Sequence, residues 1–94
     1  MQEYDEISDC LNRLIEAIRL YVKREENQDE MESQIQKETH LLSLLGKRIG
    51  GQMKEDIFLL CEDAKSFIRD SDDPKKESSL LERCLVLKND LWEL

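Results

Sequence analysis

Histidine occurs once in this chain, at His40, proline once, at Pro74, and glycine only at Gly46, Gly50 and Gly51. Each scarcity excludes something. A carboxylate-bridged metal bundle needs two Glu-x-x-His motifs, and Lys37 stands where the glutamate before His40 would be. A catalytic relay needs a positioned nucleophile, base and stabiliser, and one histidine on a polar face does not supply that set. Few glycines and prolines leave few places for the backbone to break. No stretch approaches the ~20 apolar residues of a membrane-spanning helix. The start, Met1-Gln2-Glu3-Tyr4-Asp5-Glu6, lacks the basic and apolar blocks of a secretory signal. Cys10, Cys61 and Cys84 are odd in number and far apart, with neither a disulfide framework nor a C-x-x-C zinc pair among them. They fit small buried hydrophobes in a reducing compartment, and a cytoplasmic location is the expectation.

Charge is abundant. Acids outnumber bases 22 to 14, the formal net charge is −8, and 38% of residues are charged against 39% apolar. The basic clusters (Lys23-Arg24, Lys47-Arg48, Lys75-Lys76) are isolated pairs without interleaved aromatics, so direct nucleic-acid binding is not expected. A length of 94 residues suits one domain over 1–94.

The informative pattern is spacing. Apolar residues recur in steps of four and three along Tyr4, Ile7, Leu11, Leu14, Ile18 and Tyr21. They recur again along Met53, Ile57, Leu60, Ala64 and Phe67, and along Leu80, Cys84, Leu87, Leu91 and Leu94. Such steps draw one oily stripe down one face of an α-helix. Between the first two runs, Met31, Ile35, Leu42, Leu45 and Ile49 form a sparser stripe, with His40 opposite it.

Three punctuation points separate the runs. Asp73-Pro74 reads as an N-cap followed by a proline at the first helical position, where its missing N–H has no partner to lose. Gly50-Gly51 permits a reversal through positive φ, after a basic helix end at Lys47-Arg48. The polar segment from Lys23 to Gln34 offers Asn27 or Asp29 as a cap. The expected fold is all-α. Two arrangements stand open: an antiparallel bundle of three to four helices (about 3–25, 29–49, 52–70 and 74–93), or one long helix over 3–49 with two shorter helices packed on it. The second would leave apolar halves seeking a second chain.

Loops that resemble ligand motifs fail on inspection. Counted from Asp70 as an EF-hand loop, Pro74, Lys75 and Leu81 stand where an oxygen ligand, glycine and glutamate belong. Gly46-Lys47-Arg48-Ile49-Gly50-Gly51 has neither the residue order nor the preceding strand of a phosphate loop. No cofactor or metal is implied, and an enzyme is not expected. A metal-dependent or regulatory enzyme stands only as the alternative of another class.

What exceeds the needs of one stripe is apolar surface. Leu81, Leu85 and Trp92 form a second row on the last helix, and Phe58, Leu59 and Leu20 point off the stripes of theirs. A helix touching two neighbours needs a wide apolar arc, which accounts for most of the second row. The remainder suggests a non-enzymatic interaction module, an adaptor, assembly subunit or small chaperone. Its third and fourth helices would bury a partner's amphipathic or basic helix, with Phe58, Leu81, Leu85 and Trp92 as anchors. The alternative is an obligate coiled-coil subunit, with a homodimer or heteromeric helical complex expected in either case.

Overall fold

Helix α1 spans Gln2–Lys23 and α2 spans Gln28–Ile49. Helix α2 packs back on α1, so the first run and the sparser stripe lie on separate helices. The Asn27 side-chain oxygen accepts the backbone N–H of Asp29 at 2.9 Å and of Glu30 at 3.3 Å, satisfying two amides that have no partner inside the helix. Asp29 and Glu30 then lie in the first turn, where carboxylates favour the positive end of the helix dipole. The long-helix arrangement over 3–49 is therefore corrected: α2 starts afresh at its own cap and packs back on α1. This computed structural model describes residues 2–23 and 27–93, with side chains over 4–23 and 27–91.

Helix α3 spans Gly51–Arg69 and α4 spans Pro74–Glu93. Each helix packs on its neighbours in sequence, and α4 closes the ring against α1. The molecule measures 35 × 22 × 19 Å. A helix of α1's length is ~33 Å long, so the four helices run lengthwise and the one-residue and four-residue links turn them up and down in alternation.

The stripes face one another. Ile7, Leu11, Leu14, Ile18 and Tyr21 of α1 meet Ile35, Leu42 and Leu45 of α2 in the buried core. Ile57, Leu60, Ala64 and Phe67 of α3 and Leu80, Cys84 and Leu87 of α4 complete it. Full burial of a Leu or Ile side chain contributes about 1.5–3 kcal/mol each. Helix α1 sinks furthest, because Cys10, Ile15 and Ala17 beside its stripe are buried as well. The rings of Tyr21 and Phe67 meet edge to face with centroids 5.6 Å apart, joining the last turn of α1 to the last turn of α3 at one end of the bundle.

The two short links are built as the sequence suggests. Between α2 and α3, Gly50 adopts φ 72° and ψ −164°, and its N–H donates to the carbonyl of Gly46 at 2.8 Å. Between α3 and α4, the Asp73 carboxylate accepts the N–H of Lys75 at 2.9 Å, and Lys76 Nζ reaches the Asp70 carboxylate at 3.3 Å. That acidic loop is a capped turn.

Each seam of the ring carries a polar cross-link. Arg13 meets Glu38 between α1 and α2, and Arg83 meets Asp63 between α3 and α4. Lys88 Nζ donates to Asn12 Oδ1 at 2.6 Å between α4 and α1. The Cys61 thiol donates to the Thr39 carbonyl at 3.4 Å between α3 and α2.

Candidate binding groove

The outer side of the α2–α3 seam is not filled. On α2 the groove is lined by Glu32, Gln36, Thr39, Ser43 and Lys47, with His40 at its outer rim, polar throughout and short at the centre. On α3 the facing row runs Lys54, Phe58, Cys61, Lys65 and Ile68. Thr39 and Ser43 are too small to cover the Phe58 ring, which stays 61% exposed. The result is a groove of about 690 Å³ whose floor is apolar, from Ile57, Cys61, Ala64 and Ile68.

Its charge departs from that of the whole chain. Lys47, Lys54, Lys65 and Arg69 line it, against Glu32 and Glu62. Lys65 is engaged with Glu62 at 3.6 Å. Among the described residues Lys47, Lys54 and Arg69 form no ion pair.

The expected anchors do not share one surface. Phe58 stands in the groove. Lys88 of α4 reaches α1, and Leu85 and Leu81 lie one and two turns before it on the same face, so both border the α4–α1 seam on the other side of the bundle. Leu81 packs partly against the core, whereas Leu85 is 51% exposed. The side chain of Trp92 lies outside the described residues. The groove is formed by α2 and α3, so α2 supplies the wall that the expected α3–α4 surface left out. No sequence signal marked that wall: a polar row beside a core stripe reads as solvated helix surface until a neighbour is placed against it.

The thiols are of the buried kind. Burial pushes Cys10 up to about 12, assisted by the Glu38 carboxylate beside it. Burial likewise pushes Cys84 up to about 12, with Asp63 adding to the effect. Cys61, half-buried on the groove floor, is also raised by burial. Such thiols stay protonated near neutrality and are poor nucleophiles and poor metal ligands. Among the described residues, no group of three or more His, Cys, Asp and Glu side chains gathers as a metal site.

One buried charge had no place in the expected pattern. Glu38 occupies the position between Ile35 and Leu42 in the α2 stripe and is 3% exposed. Its carboxylate takes a hydrogen bond from Arg13 Nε at 2.6 Å, and its carbonyl takes one from the Cys10 thiol at 3.2 Å. Residue 38 falls on the stripe's spacing, but a charged residue there reads as a gap in the apolar run. No family model, curated protein or solved structure matches the chain.

Proposed function

We propose that this protein is a non-enzymatic interaction module that holds an amphipathic helix of a partner protein in the α2–α3 groove. The observation that carries this reading is the exposed Phe58 ring standing over an apolar floor in a groove open along the helix axes. Helix-in-groove recognition uses such surfaces, with anchors repeating at one-turn intervals. Aromatic anchors set in apolar surroundings commonly dominate binding energy. Adaptor, assembly subunit and small chaperone are all roles for such a groove.

The reading as an obligate coiled-coil subunit draws less support, because the four stripes face each other within one chain and ask for no second one. Among the described residues no helix is long and apolar enough to cross a membrane. A cytoplasmic setting belongs to the same proposal and rests on three unpaired cysteines distributed over three helices.

Selection of helical peptides from a displayed library against the folded chain tests the groove. Selected peptides should lose at least about tenfold in affinity for Phe58→Ala, roughly the effect of truncating an anchor residue. Peptides that bind wild type and Phe58→Ala alike, while Leu85→Ala abolishes binding, would move the site to the α4–α1 seam.

A further inference from the structure

We propose that the α2–α3 groove selects an acidic amphipathic helix, with carboxylates about three turns apart and apolar residues between them. This rests on the reading of the groove as a helix-docking surface and specifies its occupant. The α3 wall repeats in steps of four, three, four and three from Lys54 through Phe58, Cys61 and Lys65 to Ile68. Lys54 and Lys65 are eleven residues apart on one helix face, a rise of ~16 Å or three turns. Lys47 lies near the Gly50 turn, at the Lys54 end, and Arg69 lies beyond Lys65 at the other end. Lys47 and Lys54 thus stand at one end of the groove. At the other stands Arg69, beside a Lys65 held by Glu62 and with Glu32 on the facing wall. Phe58 and Cys61 lie between Lys54 and Lys65.

A helix lying along this groove presents its own residues at the same intervals. Apolar side chains at i+4 and i+7 would cover Phe58 and Cys61, and side chains at i and i+11 would reach the cations. Carboxylates at those outer positions meet Lys47 and Lys54 at one end and Arg69 with Lys65 at the other. Lysines there would face Lys47, Lys54 and Arg69, unpaired among the described residues. Glu32 alone of the lining would favour them, since Glu62 is engaged with Lys65. The chain's net charge of −8 does not reverse this choice. At physiological salt the Debye length is ~8 Å, so charges on the far side of the bundle are largely screened and the cations in contact decide. Electrostatic complementarity at a groove rim acts mainly on partner choice, which is the property inferred here.

Two synthetic helical peptides of about 16 residues, long enough to span the groove, test it. They share leucines at i+4 and i+7 and differ only in carrying glutamate or lysine at i and i+11. Fluorescence anisotropy should show the glutamate peptide binding wild type at least about tenfold tighter than the lysine peptide, with the gap shrinking in high salt. Lys54→Glu/Arg69→Glu should invert the preference. Phe58→Ala, at an exposed position that leaves the fold intact, should weaken both peptides. Bound glutamate peptide should also slow alkylation of Cys61.

Equal or tighter binding of the lysine peptide to wild type overturns the charge selection. If Phe58→Ala still weakens both, the groove reading stands without it. Binding of neither peptide at ~100 µM overturns both. A doubled solution mass for wild type that Phe58→Ala returns to one chain would make the occupant a second copy and would also overturn the proposal.

Discussion

Arg13 Nε and Glu38 Oε2 stand 2.6 Å apart across the α1–α2 seam, with the carboxylate buried and the guanidinium side chain 49% exposed. The arrangement lets one charge occupy a core position while its partner keeps contact with water. The hydrogen bond that Arg13 donates to Glu38 holds its guanidinium above its usual value. Removal of Arg13 leaves a buried carboxylate without its counter-ion. Such losses cost ~3–5 kcal/mol when both partners are dry, and the half-exposed arginine scales this to about 2 kcal/mol for Arg13→Ala. Replacing both, as Arg13→Met/Glu38→Leu, should come within about 1 kcal/mol of wild type or exceed it, because desolvation of the charge disappears with it. Urea denaturation of the three proteins checks this. A double variant less stable than Arg13→Ala would show that the ion pair adds stability in its own right.

Gly46 permits the close approach of α2 to α3. A Cβ at this position would lie 3.2 Å from Ile57 Cδ1, but 3.5 Å or more from the other Ile57 side-chain atoms. Alanine gains roughly 1 kcal/mol of helix propensity over glycine, and the tight contact with a buried isoleucine opposes that gain. Ile57→Val deletes the one close atom. The stability change from Gly46→Ala should therefore be more favourable in the Ile57→Val background than in wild type, by about 0.5 kcal/mol or more. Thermal melts of the four proteins in the cycle measure the coupling, and strict additivity would mean the seam shifts freely.

Gly50 holds φ 72° with ψ −164°, a combination open essentially to glycine, whereas Gly51 holds φ 61°. No neighbouring side chain crowds either position, so the backbone alone sets the penalty. Gly50→Ala should cost about 1–3 kcal/mol. Gly51→Asn should cost less, since asparagine tolerates the left-handed region better than other residues do. Equal losses from the two substitutions in denaturant titrations would contradict this division between the two glycines.

The buried thiols set a limit at alkaline pH. Cys10 and Cys84 are raised from 9.0 to about 12, chiefly by burial. Between those values the folded chain keeps protons that the unfolded chain releases, so stability falls as pH rises. The contribution is complete below the unfolded value and is lost as pH climbs toward the folded one. The slope approaches ~1.4 kcal/mol per pH unit for each thiol. Cys10→Ala/Cys84→Ala should lose less stability than wild type between about pH 8 and about pH 10.5. Parallel declines of the two proteins would assign the alkaline loss to lysines and tyrosines instead.

Much of the fold was legible because helices are local. The four-three spacing placed Ile57, Leu60, Ala64 and Phe67 on one face before any neighbour was known, and all four are buried together. The caps act through hydrogen bonds two or three residues long, so Asp73 was read from sequence alone. Of the two candidates Asn27 and Asp29, it is Asn27 that caps α2. Glu38 was not legible, because a charge in an apolar stripe is tolerated only when another helix brings a partner, and Arg13 lies 25 residues away.

The candidate site was less legible than the core. Phe58 stood out as apolar surface off the stripe, but its relation to Leu85 depended on which helices became neighbours. The sequence by itself determined the amphipathic stripes and the breaks at Gly50-Gly51 and Asp73-Pro74, because periodicity, caps and glycines act over a few residues. The break between α1 and α2 was decided by the packing of α2 back on α1. Only the tertiary structure decided that α2 and α3 leave an open groove edged by Lys47, Lys54, Lys65 and Arg69. A groove exists where two helices meet with too little side-chain volume to fill the seam, and that volume is a property of the pair.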